Sequence, residues 1–443
     1  MTTIPTPGPD EDTYVGRSAD LATWSARKSL FLFGPRQTGK TTLIRRQLMM
    51  ASMLKAHYSR FLADPERLHF AAHSHHPWPD VTRQAVLDCW DDAARLVDRK
   101  WEHIFGTVLP KARSHVARIL DLRRPDEIAL GPNTHEFLVR ILSCFDESKP
   151  LRLLTTDSEF HSFARQAERL EELPRVHVTR VPTEPFATFG DRFTAAAARG
   201  EHEFVYLSQV FFNSGFAIAD LPALVLAVGN PGAVIVIDGY HAFCSLPTSL
   251  RKVEDRVFYV GGGYKYAQAG EGFGYLHVPH GCRLRPVNTG WFSRFGALTA
   301  PPQRGVSYPD DGFRFWGATF EPTGAYRFNA AMDWMEREGL SVELIHAHVR
   351  ALQEQFLSAL EKDETLPLSA PALVTPRDLR HQGHFLTFRF PEAPALFRAL
   401  QERHVETDLR GDRIRFGFGL YHDPEDVDRL LERLSTIPRP ARP

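Results

Sequence analysis

The stretch that decides the fold is Gly261-Gly-Gly-Tyr264-Lys265-Tyr266-Ala-Gln-Ala-Gly-Glu-Gly-Phe-Gly-Tyr-Leu-His-Val278, which follows the apolar run Arg-Val-Phe-Tyr-Val. An apolar strand thus delivers a glycine cluster and then a lysine. Upstream, a second apolar strand, Ala-Val-Ile-Val-Ile-Asp238, delivers a carboxylate. Runs apolar on both faces suit parallel strands covered by helices. Further runs of this kind are Glu-Ile-Ala-Leu-Gly131, Arg-Leu-Leu-Thr-Thr-Asp157, Arg-Val-His-Val-Thr-Arg-Val181, Phe-Val-Tyr-Leu-Ser-Gln-Val210 and Phe-Gly-Tyr-Leu-His-Val278, with helical segments between most of them. From about Val81 to Leu120 helical periodicity dominates. Beyond about Pro322 the pattern changes to long helices with two clear strands, Phe385–Phe390 and Arg413–Phe418.

The bulk numbers narrow the classes of function. A chain of 443 residues, 43% hydrophobic and 24% charged, has the composition of a globular protein with two or three domains. A formal net charge of -1 gives no footprint for nucleic acid or an anionic membrane. No apolar stretch approaches a membrane span, and the first residues lack a charged-then-apolar signal. Cys89, Cys144, Cys244 and Cys282 show no CxxC spacing, which fits a reducing, cytoplasmic setting and gives no zinc site. The His73-Ser-His75-His76 cluster has no carboxylate or cysteine at ligand spacing, so no metal is expected there.

Two phosphate-binding readings compete. Gly34-Pro-Arg-Gln-Thr-Gly39-Lys40-Thr41 matches the P-loop pattern, with an apolar strand before it and a helical run after it. Backbone N–H groups would cradle phosphates and Thr41 would hold magnesium, and Asp238 could pose as the acidic strand of such a site. A P-loop fold needs further parallel strands close behind, whereas residues 48–125 read as loop and helix. Residues 1–48 resemble the opening of an AAA-type ATPase cut off before its core, and a fragment outside the catalytic fold is expected. Met49, Met50 and Met53 offer alternative starts.

The other reading joins Lys265 to Asp238. Pyridoxal 5'-phosphate (PLP) needs a lysine to hold it as an aldimine and a carboxylate to keep its ring nitrogen protonated. Gly131-Pro-Asn133-Thr134-His135 opens a helix after a strand, so it can cap that helix or hold a phosphate there. Asp238-Gly-Tyr-His241-Ala, Tyr264-Lys265-Tyr266, Thr289-Gly-Trp291-Phe and Arg413-Ile-Arg415-Phe-Gly-Phe occur in an order and spacing that resemble the class V aminotransferase-fold PLP enzymes, within them the kynureninase branch. The resemblance covers roughly residues 60–437.

It implies a fold-type-I α/β architecture: a mostly parallel large-domain sheet over residues 49–320, with a helical segment at its start, and a smaller α+β domain over 321–443. It implies a homodimer with the active site at the interface and an amino-acid substrate. Phe160, or His161 as the alternative, would lie over the cofactor ring. His241 would meet the ring oxygen or remain a core histidine. Tyr264 would reach the phosphate and could donate a proton. Trp291 and Thr319 resemble positions that approach the phosphate from the partner subunit, with core packing as the alternative for Trp291. Arg415 would take the substrate α-carboxylate with its two-pronged guanidinium, while Arg413 on the other face would be solvated.

The implied chemistry is a quinonoid formed with Lys265 as base, followed by kynureninase-like cleavage beyond the α-carbon. Amino-group transfer is the alternative, and a P-loop nucleotide-binding protein is the rival from another class. The chain departs from the kynureninases where they carry Gly-Asn-Ser-Leu-Gly, having His73-Ser-His75-His76-Pro-Trp78 instead, and where they carry an asparagine-proline element, having Thr319-Phe-Glu-Pro. Both segments would line the substrate pocket, His75 included. A desulfurase needs a nucleophilic cysteine on a mobile loop well after the lysine, and Cys282 is expected too close behind it, in a strand-rich segment.

Overall fold

A computed structural model describes residues 54–293 and 305–439, apart from the side chain of Leu379. The P-loop motif, with Gly39, Lys40 and Thr41, and the methionines 49, 50 and 53 lie outside the described residues. The strands are β1 Leu68–His69, β2 Ile128–Gly131, β3 Leu151–Thr156, β4 Val176–Val181, β5 Phe204–Ser208, β6 Val234–Asp238, β7 Val257–Gly262, β8 Gly274–His277, β9 Phe385–Arg389, β10 Val405–Glu406, β11 Asp408–Arg410 and β12 Arg413–Gly417.

Seven of these form one sheet in the order β2-β8-β7-β6-β5-β3-β4. Every pairing from β7 to β4 is parallel, and β8 runs antiparallel to both β7 and β2. β5 and β7 are buried along their whole length, and so is β6 up to Asp238. This is why they read as continuous apolar runs rather than alternating ones: helices cover both faces.

Ten α-helices of six or more residues are described. In chain order they are α1 Val81–Leu96, α2 Leu109–Ile119, α3 Thr134–Leu142, α4 His161–Glu171, α5 Phe189–Ala198, α6 Leu221–Leu226, α7 Thr323–Arg337, α8 Val342–Lys362, α9 Ala393–Gln401 and α10 Pro424–Ser435. The expected helical run from Val81 to Leu120 is broken after Leu96. Val97 has φ 51°, which ends α1, and a 3-10 turn at Val97–Arg99, a short α-helix at Lys100–His103 and a π-helical stretch at Ile104–Val108 then lead directly into α2. Periodicity survives such a break, so the sequence pattern does not reveal it.

Two cores form. The larger joins the seven-stranded sheet to α2, α3, α4 and α7, through Val116, Phe137, Phe163, Phe328 and Trp334 among others. The smaller packs α8, α9 and α10 against the three-stranded sheet β11-β12-β9. The change of core comes within α8, where Ile345 belongs to the first and Val349 to the second. The sequence expectation put the boundary at 320/321, in the Pro-rich stretch ahead of α7. The buried face of α7, with Ala325, Phe328, Met332 and Met335, instead packs with the large sheet.

Residues 68–73 tie the units together. β1 pairs with β10 in parallel, Phe70 fills the smaller core, and Ala71 bridges to Gly417 at the end of β12. A Cβ on Gly417 would lie 2.2 Å from His73 Nδ1 and 2.9 Å from Ala72 N, so only glycine permits this approach.

Candidate active site

The sheet brings its functional groups to one edge, the carboxyl ends of the parallel strands, where α/β sheets bind ligands. Asp238 ends β6, and Lys265 stands three residues beyond the end of β7, the strand paired beside it. Ser208 ends β5 in register with Asp238, and Glu159 lies just past β3. Asn133 follows β2, which runs parallel to β7 through the intervening β8.

Asp238 is held without a cation. Tyr206 Oη donates to Oδ2 at 2.8 Å and the Tyr240 amide to Oδ1 at 2.9 Å. The Tyr206 ring is itself clamped, stacked on Phe163 of α4 at 3.6 Å and 3°. Such a ring pair contributes about 1 kcal/mol beyond area burial and fixes the hydroxyl on the carboxylate. Burial pushes the Asp238 carboxyl up from its ordinary value, against the Tyr240 amide, the Tyr206 hydroxyl and the Lys265 charge. A buried carboxylate carrying neutral donors and no hydrogen-bonded cation suits a cationic ligand group. Gly239 behind it is required, because a Cβ there would fall 1.9 Å from Tyr259 Oη.

Lys265 donates from Nζ to the His73 carbonyl at 2.8 Å, and its amine lies 5.9 Å from the centre of the Tyr240 ring. Burial lowers its pKa to about 7, helped by the Arg415 and Arg410 charges and opposed by Asp238. A lysine of this kind supplies a neutral, nucleophilic amine near pH 7.

The remaining sequence-predicted residues gather around this pair. His241 is buried, its Nδ1 has no hydrogen-bond partner, and burial holds its ring well below the usual imidazole range. Asn133 caps α3, accepting from the Glu136 amide at 3.1 Å, and Thr134 is that helix's first residue. The cap reading therefore holds, and the helix N-terminus it organises also offers amides to an anion. Phe160 and His161 open α4; both are exposed, and both rings meet Phe212, at 5.5 Å and 5.0 Å. Trp291 Nε1 donates to Thr319 Oγ1 at 3.3 Å, so those two residues meet, with Trp291 45% exposed.

Tyr264 and His75 are linked at 3.2 Å, and the His75 ring also packs against Phe61 and Trp78. The three clustered histidines diverge. His73 stacks on Phe385, His75 turns to Tyr264, and His76 packs on Tyr266 and Tyr421. The described cluster with metal-ligand proximity lies elsewhere, at His115, Asp333 and Glu336, where Lys111 already pairs with Asp333.

Arg415 is buried and directed inward. It donates to the Phe212 carbonyl and to Asp408, while its Nε has no partner. Arg413 is not simply solvated as expected: it is half-buried and donates to the Asn213 carbonyl and to Glu184. Cys282 lies in the turn after β8 rather than in a strand, beside Cys144.

Sequence reasoning missed four contributors. Tyr206 and Tyr240 orient Asp238. Glu159 is buried and accepts from Thr156 Oγ1 at 2.7 Å, the Ser208 amide at 3.0 Å and the Ser208 hydroxyl. Burial raises its carboxyl to about 8, which keeps it protonated at neutral pH. The signal was an acidic residue immediately before Phe160, where a solvated helix start was the simpler reading. Asp408 was missed because its role depends on register across a hairpin.

Residues 345–434 match the kynureninase C-terminal domain. A probable cysteine desulfurase of Vibrio cholerae is 23% identical over 63% of this chain and 69% of its own length. Isopenicillin N epimerase of Streptomyces clavuligerus is 25% identical over 85% and 96%. Kynureninase of Pseudomonas fluorescens is 27% identical over 48% and 50%, so that alignment spans half of each chain. Among solved structures, a variant of the lyase C-DES with glycine covalently linked to its PLP cofactor superposes with a TM-score of 0.73. It is 19% identical, over 86% of this chain and 98% of that one.

Together these likenesses support a PLP-dependent enzyme of the class V family. The chain's residues fit the cofactor. Lys265 would hold the aldehyde carbon, Asp238 the ring nitrogen, the unpartnered His241 Nδ1 a ring substituent, and the α3 N-terminus the phosphate. When bound, PLP supplies an electron sink for charge developing at a substrate carbon. No described helix is long and apolar enough to cross a membrane.

Proposed function

We propose that this enzyme acts on an α-amino acid and cleaves a bond beyond the α-carbon, in the manner of the kynureninases it resembles. The carrying observation is the pairing of Lys265, whose amine titrates near 7, with Asp238, which holds no permanent cation. Lys265 binds the cofactor and, once released by substrate, serves as the base that takes the α-proton. Arg415, with its unpartnered Nε, receives the substrate carboxylate. His75, Phe61, Trp78 and Tyr264 wall the side where the substrate side chain lies, with ring centres 5.4 Å to 6.2 Å apart. Tyr264, joined to His75, is the proton donor beside that wall.

The cysteines favour this reading over a persulfide-forming one. Burial raises the thiols of Cys89, Cys144, Cys244 and Cys282, with Cys144 at about 12, which disfavours a nucleophilic thiolate. Exposed Trp90 and Val97, on and just after α1, together with Trp291, suit burial against a second copy, the homodimer with shared active sites.

The test is the absorbance spectrum of the purified protein, where a borohydride-reducible band at about 420 nm supports lysine-bound PLP. A panel of amino acids with product analysis by mass spectrometry follows. Release of a side-chain fragment supports cleavage, and stoichiometric 2-oxo acid would replace that reading with amino-group transfer.

A further inference from the structure

Resting on the reading of Arg415 as the carboxylate receptor, we infer that Asp408 is a placeholder carboxylate. It occupies Arg415 until substrate arrives and then passes wholly to Arg410.

The geometry is that of one anion shared by two cations. Asp408 and Arg415 are directly opposed across the antiparallel β11–β12 pair. Asp408 Oδ2 takes a hydrogen bond from the Arg415 guanidinium and lies 3.5 Å from His73 Nε2, while Oδ1 takes one from Arg410 at 2.9 Å. The Arg415 side chain is only 4% exposed and that of Arg410 is 48% exposed. Arg415 therefore cannot seek water when its partner leaves, whereas Arg410 can follow the carboxylate.

Charge counting points the same way. With Asp408 alone, two guanidiniums share one carboxylate, and both lower the neighbouring Lys265 amine. A substrate α-carboxylate brings the count to two anions for two cations. It can also use the Arg415 edge whose Nε has no partner, a buried donor that costs about 1–3 kcal/mol while unsatisfied. Arg415 is confined by Phe212 and Phe385, whose ring centres lie 5.9 Å and 5.8 Å from its guanidinium carbon, so the mobile member of the exchange is Asp408. Asp408 is a positioning residue: it acts on substrate through Arg415, and Arg410 acts through Asp408.

The test uses the PLP-loaded full chain, wild type beside Asp408→Asn, Arg410→Gln and the double variant. Each is titrated with L-alanine and, separately, with L-alaninamide, which lacks the carboxylate. Binding is read from the shift of the cofactor absorbance. Asp408→Asn should bind L-alanine about tenfold more tightly with L-alaninamide unchanged, since only the carboxylate competes for Arg415. Arg410→Gln should weaken L-alanine, because Asp408 then has nowhere else to go. In the double variant the Arg410 effect should vanish, which a direct electrostatic pull of Arg410 on substrate would not produce.

Equal shifts for the two probes, an Arg410 effect that persists in the double variant, or no response to L-alanine in any variant would overturn the inference. Arg410→Gln, at an exposed position, keeps the test decisive if Asp408→Asn does not fold: unchanged L-alanine affinity in it is enough to reject the exchange. A protein that carries lysine-bound PLP but lacks these shifts loses the exchange alone. One without the 420 nm band loses the underlying reading too.

Discussion

Two aspartates near Lys265 are handled in opposite ways. Asp238, at the end of a central strand of the large sheet, is held by a phenol and a backbone amide. Asp408, on an edge strand of the small sheet, is held by two arginines. Burial raises the Asp238 carboxyl because nothing cationic in the fold is bonded to it. The difference teaches which charges are built in and which are left for ligands. Asp238 carries no hydrogen-bonded cation, whereas two guanidiniums share the single carboxylate of Asp408.

The hardest blow to this comparison is Lys265→Ala. It removes the amine whose charge acts on Asp238, and turnover should fall by at least about a thousandfold, the scale of losing a positioned acid–base group together with the covalent anchor. The 420 nm band should disappear with it. A borohydride-reducible attachment surviving in this variant would sink the assignment of Lys265.

Asp238→Asn comes next. The amide keeps the shape and the Tyr206 contact but cannot stabilise a protonated ring nitrogen. Cofactor binding should persist while turnover falls about a hundredfold, the worth of two to three kcal/mol in a differential charge interaction. Near-normal turnover would mean that Asp238 is structural and that the contrast with Asp408 has no chemical content.

How far the sequence could be read follows the same division. The strands of the large sheet were legible because burial on both faces writes unbroken apolar runs, and the lysine and carboxylate stood at the ends of such runs. The β10–β11 strands, of two and three residues, carry no periodicity, so Asp408 had no signal of its own. Arg415 was legible as a residue, while its pairing with Asp408 depends on hairpin register. The helix break at Val97 and the allegiance of α7 were hidden because amphipathic periodicity says which face is buried and not against what. Glu159 was overlooked because a carboxyl is ordinarily solvated unless tertiary structure supplies its donors, here Thr156 and Ser208.

The seam between the two regions sharpens the comparison through pH. Half-buried His69, buried His76 and half-buried His346 are held neutral where residues 68–76 meet α8 and the small sheet. Burial lowers them to about 4, 3 and 4. His69 Nδ1 meets Tyr421 Oη at 2.6 Å, and His346 Nδ1 meets His384 Nε2 at 3.0 Å. Their native pKa values lie below the unfolded value, so the unfolded chain takes up protons that the native one refuses. Stability is therefore full above about pH 6.5 and falls as pH drops toward 4, by up to about 1.4 kcal/mol per pH unit for each histidine. Urea unfolding followed from pH 7.5 to 4.5 checks this. A midpoint that stays flat across that range would mean the seam opens to water without cost.

The smallest expected effect belongs to Lys40→Ala in the P-loop motif. A working P-loop needs parallel strands next to its own and an acidic strand end for magnesium. The described parallel strands, from β3 to β7, pair with one another in the large sheet. Asp238, the strand-end acid that could have served magnesium, is bonded to Tyr206 and Tyr240 and faces Lys265 instead. Both phosphate-binding readings call on Asp238, which already accepts from Tyr206 Oη and the Tyr240 amide. Lys40→Ala, and removal of residues 1–48, should leave PLP binding and turnover within about twofold of the full chain, the scale of changes of ±0.5 kcal/mol at sites that touch nothing essential. ATP hydrolysis by the full-length protein beside the Lys40 variant is the discriminating measurement. A magnesium-dependent rate lost only in the variant would establish a second, nucleotide-driven site, and the contrast between the two aspartates would no longer account for all the phosphate chemistry in this chain.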